Sequence, residues 1–472
     1  MRRSLHFDEA AGGAAEALGG PSAADPEELI SRVRADRVEF VNLQFTDVLG
    51  AIKGVTIPAA GLGEALARGV WFDGSSVEGF ARIHESDMVL RPDPGTYRVL
   101  PWGAPERRQA RLICDVQTPD QRPFPGDPRG VLRRAMARAE AQGHTYNAGP
   151  ELEFFLFKRN ADARDGRAPL RPVPHDVGGY FDFSPQDLAS TVRADIMRAL
   201  AELGITAETA HHEVATAQHE IDFRYCDGLT AADNVMTVRQ AVKAVAAEHD
   251  LYATFMPKPI CGANGSGMHT HQSFFDRGGR NAFFDAAGRY ELSDLARHYI
   301  AGQLAHAPAL SAVLAPTVNS YKRLVPGYEA PVYICWARTN RSALIRVPCT
   351  SPGREQSARA ELRCPDPSAN PYLAFAVMLA AGLDGIERRL APPEPVEEDV
   401  YHFDARRLEE MGIASLPGTL AEALDALEKD EVVRSALGDL AYQAFARAKR
   451  AEWDEYRIQV SDWELERYLE TL

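Results

Sequence analysis

Two glutamates separated by one residue come directly before a run of apolar side chains. Glu151 and Glu153 are followed by residues 154–157, which are Phe, Phe, Leu and Phe. In a strand, residues i and i+2 point to the same face, roughly 7 Å apart. Two carboxylates at that separation repel each other unless water solvates them or a cation lies between them. A solvated strand end is the alternative, but the apolar run favours a strand that enters a core.

A second pair of acids, Glu213 and Glu220, lies on another strand-like segment. Their separation of seven positions would place them on opposite faces of a straight strand. If both face one site, a bulge or a tight turn is required between them, and residues 215–217 are the predicted place for it. On its own, this pair indicates little.

The segment 264–271 combines two glycines with His269 and His271. Glycine allows the backbone to approach a ligand closely, and the spacing of the histidines places both imidazoles on one strand face. Either histidine could instead be a hydrogen-bonded surface group, and the segment alone leaves both interpretations open.

Residues 320–365 reverse the sign of the chain's overall charge, with eight basic residues against three acids. The basic residues are Lys322, Arg323, Arg338, Arg341, Arg346, Arg354, Arg359 and Arg363. The planar guanidinium group suits carboxylate and phosphate oxygens. Strand spacing places Glu361, a potential metal ligand, between two of these arginines on one face. The loop 319–331 also contains Glu329 and is a candidate lid over a site.

Glutamates, imidazoles and an arginine cluster together suit one kind of chemistry. Carboxylate oxygens with one or two imidazoles favour Mg²⁺ or Mn²⁺ over zinc. Metal ions beside arginines are typical of phosphoryl transfer, in which charge spreads over the moving phosphoryl oxygens. The sequence contains neither a Walker P-loop nor a protein-kinase signature. The residues therefore predict a two-metal, nucleotide-dependent enzyme that acts on a small anionic substrate.

Composition narrows the class of protein. The chain has 472 residues and a formal net charge of −15, which disfavours nucleic acids and anionic membranes as partners. The longest apolar run, residues 374–383, is about half the length that a bilayer requires. Acidic residues soon after the N-terminus disfavour a signal peptide. The six cysteines are scattered without a C-x-x-C pair, which is typical of reduced thiols. We therefore expect a cytoplasmic protein.

The elements that must position these residues fall into two predicted domains after a loose extension, 1–24. Residues 25–121 are predicted to form a small α+β domain, with a strand from Val41 and a hairpin partner at 51–57. Residues 122–472 are predicted to form a larger domain. Capping and proline signals predict helix starts at Asp25-Pro26, Asp127-Pro128, Ser184-Pro185, Asn370-Pro371, Thr419 and Ser461. The last two are predicted capping boxes, each with a glutamate three residues later.

The same residues carry a resemblance to type I glutamine synthetase across residues 37–472, with α-type features. The matching motifs are FDGSS (72–76), GPELEFF (149–155), HHEV (211–214), NGSGMH (264–269), NSYKRLVPGYEAP (319–331), NRS (340–342) and NPYL (370–373). The resemblance implies an α+β fold: a small β-grasp-like N-terminal domain and a larger catalytic domain with a curved antiparallel sheet and helices. It also implies a dodecamer of two stacked hexameric rings, with active sites shared between neighbours.

Roles for individual residues follow from the same resemblance. It implies that Glu153, Glu213 and Glu220 hold one metal ion, and that Glu151, His269 and Glu361 hold a second. Glutamate is expected to be bound by Arg323, Arg363 and the backbone of Asn264 and Gly265, with Arg341 at the phosphoryl group. The nucleotide end is expected to be lined by Glu208, His271, Ser273, Arg346 and Arg359.

The implied reaction makes glutamine from glutamate, ammonium and ATP through γ-glutamyl phosphate. Asp73 of an adjacent subunit is expected to bind ammonium and take its proton, and Glu329 to close the site against water. Taken alone, Asp73 would be an ordinary turn residue.

Regulation and two alternative functions complete the expectations. Arg82 matches the arginine linked to feedback inhibition by glutamine in the α-type. Tyr401 lies where adenylylated relatives carry their modified tyrosine, but its surroundings do not match theirs. A paralogue that ligates a larger amine is one alternative, and Asp73 with Glu329 disfavours it because a bulky amine needs their space. The other alternative is an inactive family member with a structural or regulatory role. The presence of all six implied metal ligands disfavours it.

Overall fold

The computed structural model describes residues 25–75, 77, 87–160 and 171–472. The predictions for residues 1–24 and for Arg82 lie outside the described residues.

The first part of the chain forms a six-stranded sheet in the described ranges, with the strand order β2-β1-β6-β4-β3 and β5 beside β6. β1 and β6 are parallel, and the other pairs are antiparallel. Its elements are α1 (Pro26–Ala35), β1 (Phe40–Thr46), β2 (Ile52–Pro58), α2 (Leu62–Arg68), β3 (Val70–Asp73), β4 (Asp87–Pro92), β5 (Arg98–Val99) and β6 (Gln109–Gln117). The helices α1 and α2 pack against this sheet, and helices and sheet together form an apolar core.

The predicted hairpin between β1 and β2 is confirmed. Val41 pairs with Ile57, and alternate residues of β1 are buried, which is the pattern of a strand with one face on a core. The turn forms because the Asp47 carboxylate accepts the backbone N–H groups of Leu49 and Ala51. Gly50 completes the turn at φ +83°, a conformation that few other residues adopt.

The larger sheet contains nine strands in the described ranges, in the order β13-β14-β15-β12-β7-β9-β8, with β10 and β11 also paired to β7. Only β13 and β14 pair in parallel. Its strands are β7 (His144–Lys158), β8 (Ala207–His212), β9 (Gln218–Phe223), β10 (Cys226–Asp227), β11 (Leu251–Thr254), β12 (Thr270–Asp276), β13 (Tyr333–Ala337), β14 (Ala343–Arg346) and β15 (Ala360–Leu362). The long strand β7 lies between β12 and β9 and therefore joins the two halves of the sheet.

Helices cover this sheet and contribute most of the largest apolar core. They are α3 (Pro128–Ala141), α4 (Ser190–Glu202), α5 (Gly228–Glu248), α6 (Asp294–Leu314), α7 (Ser320–Arg323), α8 (Pro371–Glu387), α9 (Ala405–Glu410), α10 (Leu420–Lys429), α11 (Glu431–Leu437), α12 (Asp439–Tyr456) and α13 (Asp462–Tyr468). None of the helices in the described ranges is long and apolar enough to cross a bilayer.

Most of the predicted helix starts are confirmed by their caps. Asp25, Asp127 and Asn370 each accept backbone N–H groups of the first turn, directly before a proline. The capping box at Ser461 is complete. At Thr419 it is half formed, because the Glu422 carboxylate accepts the Gly418 N–H group instead of the one at Thr419.

The predicted helix start at Ser184 is wrong, because α4 begins at Ser190. The residues before it form turns, and Leu188 is 53% exposed. The helix starts later because the Asp187 carboxylate accepts the Ala189 N–H group and forms a bidentate ion pair with Arg193.

A buried ion cluster joins the two sheets through α3. The Arg129 guanidinium contacts Asp93 and Asp115 in the first part of the chain, and Asp233 on α5. The Tyr372 hydroxyl donates to the same Asp233 carboxylate. Because the arginine is almost fully buried, its loss would remove the buried cation that three carboxylates share.

A second ion cluster, in the helical layer, makes a stability prediction. His306 on α6 donates from Nδ1 to Asp430 at 2.6 Å and from Nε2 to Asp384 at 3.0 Å. Burial lowers the pKa of His306, but the two carboxylates outweigh burial and raise it. Such a group stabilises the fold fully below its unfolded-state pKa of about 6.5, and loses that effect as pH rises through the folded-state pKa.

We therefore expect His306→Gln to lower the free energy of unfolding by about 2 kcal/mol at pH 6 and by less at pH 9. The measurement is the urea midpoint of the wild type and the variant at both pH values. His249→Gln is the matched control, because the His249–Asp195 pair is partly exposed and exposed pairs contribute little. An equal loss at both pH values would contradict the prediction.

Candidate active site

The two glutamates of β7 lie in the middle of the larger sheet, where neighbouring strands bring in further acids. Glu153 is the cross-strand partner of Glu220 on β9, and Glu151 is the partner of Asp222. Directly opposed residues have Cβ atoms about 5 Å apart. Four carboxylates therefore meet on two adjacent strands.

A tight turn between β8 and β9 brings Glu213 to the same place, as predicted for residues 215–217. Ala217 has φ +62°, and the Glu213 N–H group donates to the Gln218 carbonyl across the turn. His211 lies beside both acids, with Nε2 3.2 Å from Glu213 and 3.7 Å from Glu220. The turn therefore brings Glu213 and Glu220 to one site, although a straight strand would place them on opposite faces.

The Glu153 carboxylate is buried among groups that fix its position. One oxygen accepts the Gln218 side-chain amide and the Gly267 backbone N–H group, both at 2.9 Å. Burial, followed by the nearby charge of Glu213, raises the pKa of Glu153 to about 8. The pKa of Glu220 is also raised, by burial and then by Glu153. Each acid makes ionisation of the other unfavourable, and a bound cation would remove that repulsion.

The second cluster surrounds Glu151. Its carboxylate lies 2.6 Å from Nε2 of His271 and 3.2 Å from Nδ1 of His269. Burial alone would raise the pKa of Glu151, but the two imidazoles outweigh it and hold the pKa well below the usual range. Both histidines therefore face the site, as their strand spacing predicted.

Glu361 on β15 completes this cluster. It is 1% exposed and is the cross-strand partner of His271. Its carboxylate lies 4.0 Å from Nδ1 of His269 and accepts a hydrogen bond from Arg346. Arg363 approaches within 3.7 Å. Burial would raise the pKa of Glu361, but the surrounding positive groups lower it.

The donor set fits divalent metal ions. Three groups with ligand atoms within 4.8 Å of one another line the site: Glu151, His271 and Glu361; His211, Glu213 and Glu220; and Glu151, Glu220 and Asp222. Glu151 belongs to two of them and so links the clusters. Carboxylate oxygens with few imidazole nitrogens match the preferences of Mg²⁺ and Mn²⁺. The first group contains His271 where the resemblance implies His269. The second contains His211 where the resemblance implies Glu153.

Gly267 lies between two candidate metal ligands and the Arg323 guanidinium. A Cβ atom at Gly267 would lie 2.7 Å from Arg323, 3.1 Å from His269 and 3.3 Å from Glu153. The Arg323 guanidinium is buried and donates to the backbone carbonyls of Arg363 and Cys364. The absence of a side chain at residue 267 therefore allows these three groups to converge.

The candidate lid contacts the segment on the opposite side of the site. The Asn264 side chain donates to Glu329 at 3.2 Å. Glu329 is exposed and has φ +58°, which is unusual for a side chain of its size. The Lys258 ammonium lies 3.7 Å from the centre of the Tyr328 ring and donates to the Ala263 carbonyl. The contacts from Asn264 and Lys258 attach the loop 319–331 to the segment 258–264.

A cavity of about 340 Å³ opens beside the Glu151 cluster. The predicted nucleotide residues Glu208, His271, Ser273 and Arg359 line it, together with Tyr225 and Asp222. Arg346 does not line the cavity and bonds with Glu361 instead. Arg359 donates to Nδ1 of His271, so the cavity wall and the metal-ligand candidates are connected.

Three other predicted residues are not members of these clusters. Asp73, at the end of β3, is exposed, and within the described ranges it bonds with Ser75. Arg341 is exposed, and its positive charge partly offsets the rise that burial causes in the pKa of Tyr180. The Tyr401 hydroxyl donates to the Ala330 carbonyl, next to the lid residue Glu329.

Sequence reasoning missed several residues that the fold brings to the site. Asp222 could have been found, because it lies two residues after Glu220 and so shares its strand face. Gln218 and Tyr180 carried no such signal. Gln218 contacts Glu153 and Tyr180 contacts His211, and both partners are distant in sequence.

Fold and site together define a metal- and nucleotide-dependent enzyme: a β-grasp domain followed by a catalytic domain whose curved sheet carries opposed carboxylates beside an arginine cluster. Family models match both parts. The glutamine synthetase β-grasp domain matches residues 37–119, and the glutamine synthetase catalytic domain matches residues 125–468. The chain belongs to the glutamine synthetase family.

Individual relatives agree with this assignment. The chain is 52% identical to the glutamine synthetase of Halobacterium salinarum, over 94% of this chain and 96% of that protein. It is also 52% identical to the glutamine synthetase of Thermus thermophilus, over 94% of this chain and 98% of that protein. Among solved structures, a GmaS–ADP complex superimposes with a TM-score of 0.83 at 35% identity, covering 94% of this chain and 99% of that chain.

Proposed function

We propose that the site makes glutamine from glutamate and ammonium, with ATP activating the γ-carboxylate as γ-glutamyl phosphate. The chain is an ATP-dependent, metal-using ligase of glutamine biosynthesis. The observation that supports this proposal is that Glu151 belongs to two carboxylate clusters. One side of these clusters faces the buried Arg323, and the other faces the open cavity. A substrate carboxylate and a triphosphate can therefore meet at one place.

The proposed metal ligands follow the family resemblance: Glu153, Glu213 and Glu220 for one ion, and Glu151, His269 and Glu361 for the other. Bound Mg²⁺ or Mn²⁺ would neutralise charge on the phosphate oxygens. The cross-strand pairing of Glu153 with Glu220 supports a shared ion between these two acids.

The remaining roles are proposed for side chains around these acids. Arg323 and Arg363, with the Asn264-Gly265 backbone, orient glutamate so that a γ-carboxylate oxygen attacks the γ-phosphorus of ATP and ADP departs. Arg341 stabilises the charge on the phosphoryl group in transit. Asp73 of an adjacent subunit takes a proton from ammonium. The resulting ammonia attacks the acyl carbon, phosphate departs, and the nitrogen gives up one more proton to the departing phosphate. Glu329 excludes water meanwhile.

At the nucleotide end, we propose that Glu208, His271, Ser273 and Arg359 contact ATP, and that Arg346 acts there through Glu361. The bond of Arg346 to that acid supports an indirect role.

Domain boundaries, assembly, location and regulation are also proposed. We propose a division into domains at residues 25–121 and 122–472, a dodecamer of two hexameric rings, and a cytoplasmic location. We also propose α-type regulation, in which Arg82 mediates feedback inhibition by glutamine. Because the Tyr401 hydroxyl is engaged with the Ala330 carbonyl, adenylylation at this position is disfavoured.

An amine-specificity assay tests the proposed function. Purified protein with ATP, Mg²⁺ and glutamate should release phosphate when ammonium is added, and much less with methylamine or putrescine. Product identity is checked by mass spectrometry, which should find glutamine. Absence of ammonium-dependent phosphate release would overturn the proposal, and a preference for either larger amine would reassign the chain to the ligation of that amine.

The position of Gly267 makes a further prediction about glutamate binding. Gly267→Ala places a methyl group in the space of the Arg323 guanidinium. We expect the KM for glutamate to rise about tenfold, which corresponds to the loss of about one charge-assisted hydrogen bond. The KM for ATP should change little. Gly61→Ala is the matched control, because a Cβ atom at Gly61 meets nothing within 4 Å. An unchanged KM for glutamate would contradict the prediction.

A further inference from the structure

A network of buried charged and polar side chains lies against the β8–β9 turn. Its members are Asp176, Asp187, Arg193, His212 and His219, all at most 8% exposed. Asp187 and Arg193 form an ion pair, and Arg193 also donates to Nδ1 of His219 at 3.1 Å. None of these residues has been given a role in the proposed reaction.

Asp176 connects this network to the backbone of the turn. One of its oxygens accepts the Ala217 N–H group and Nε2 of His212, both at 3.0 Å. The other ring nitrogen of His212 donates to the Glu213 carbonyl at 2.7 Å. Asp176 thus holds the chain at Glu213 through His212, and holds it directly at Ala217, three residues before Glu220.

The geometry of the turn requires such support. Ala217 has φ +62°, a conformation that is unfavourable for a residue with a side chain and persists where surrounding contacts enforce it. Gly178, two residues after Asp176, allows the close approach: a Cβ atom there would lie 2.8 Å from the His212 ring. The loop around Asp176 is therefore packed directly on the histidine that holds Glu213.

The network could itself be a metal site, because ligand atoms of Asp176, His212 and His219 lie within 4.8 Å of one another. Hydrogen bonding argues against it. Both ring nitrogens of His212 face oxygens that only accept. Nδ1 of His219 faces a guanidinium, which only donates, so Nε2 of His219 keeps its hydrogen. Neither imidazole has a free lone pair for a metal ion.

We propose that Asp176 is a positioning residue for the metal ion held by Glu153, Glu213 and Glu220. By holding the Ala217 amide and His212, it fixes the turn that aims Glu213 and Glu220 at Glu153. This inference rests on the proposed function for the identity of the ligands. It concerns the order of the turn, which is measurable without catalysis.

Hydrogen exchange and Mn²⁺ titration of the full-length metal-free protein, together with an activity assay at saturating metal, test the role of Asp176. In Asp176→Ala, hydrogen exchange of the segment 213–220 should accelerate. Mn²⁺ titration of the wild type should resolve two classes of site, of which Glu153→Gln removes one. Asp176→Ala should weaken that same class about 10- to 100-fold, which is typical for a residue that orients a ligand, and should leave the other class unchanged. Saturating metal should largely restore kcat.

Asp127→Asn is the matched control. Asp127 is also a buried carboxylate that accepts backbone N–H groups, but those groups belong to Val116 and Arg129. It should lower the melting temperature without changing Mn²⁺ affinity. Unchanged Mn²⁺ affinity in Asp176→Ala, or equal weakening of both classes, would overturn the positioning role. If the wild type bound Mn²⁺ but formed no glutamine, the proposed function would fall while the positioning role stood.

Discussion

Glu153→Gln is expected to lower kcat by at least about a thousandfold, because a metal ligand that stabilises charge in phosphoryl transfer is lost. The amide is nearly isosteric with the carboxylate and can still accept the bonds from Gln218 and Gly267. Unlike the carboxyl, the amide cannot ionise, so it never adds negative charge to the buried group of acids that includes Glu220. The metal-free melting temperature should therefore stay the same or rise while activity disappears. Activity assays and calorimetry of the metal-free protein measure the two effects.

A surface glutamate provides the control for this prediction. Glu140→Gln, at an exposed position on α3, should change neither activity nor metal affinity. A Glu153→Gln enzyme that retained more than about a tenth of wild-type kcat would remove Glu153 from the ligand set, since removal of a ligand costs far more. A large fall in the metal-free melting temperature would show instead that the carboxylate stabilises the fold.

Mixed assemblies of two inactive subunits are expected to recover activity when one carries Asp73→Asn and the other Glu153→Gln. If Asp73 acts in the site of a neighbouring subunit, some sites in a mixed ring combine an intact Asp73 with an intact catalytic domain. Random assembly of equal amounts makes about a quarter of the sites intact. Activity of co-expressed, doubly tagged assemblies should therefore reach about a quarter of wild type, while each variant alone remains inactive.

The matched control pairs two defects within one catalytic domain. Glu153→Gln with Arg341→Ala should recover nothing, because every catalytic domain in the mixture lacks one of the two residues. If the Asp73→Asn mixture also recovered nothing although the doubly tagged assemblies formed, Asp73 would belong to the site of its own chain or to none. The exposed position of Asp73 at the end of β3 is compatible with a contact to another subunit.

Local signals in the sequence predicted the elements that depend on local physics. Side-chain caps before prolines set the starts of α1, α3 and α8, because a cap satisfies backbone groups a few residues away. The strand pattern from Val41 and its short separation from residues 51–57 predicted the first hairpin, because a hairpin also forms between neighbouring residues. The start of α4 was missed because the ion pair of Asp187 with Arg193 competed with a local proline signal.

The amino-acid sequence by itself determined which kinds of ligand are present, the motifs that define the family, and the face on which Glu151 and Glu153 both lie. The tertiary structure alone decided their neighbours: Glu153 opposite Glu220, and Glu151 between His269 and His271. The reason is physical. Strand register joins segments far apart in sequence, and burial then acts on the charges that register has brought together. That is why two similar glutamates of one strand have pKa values shifted in opposite directions.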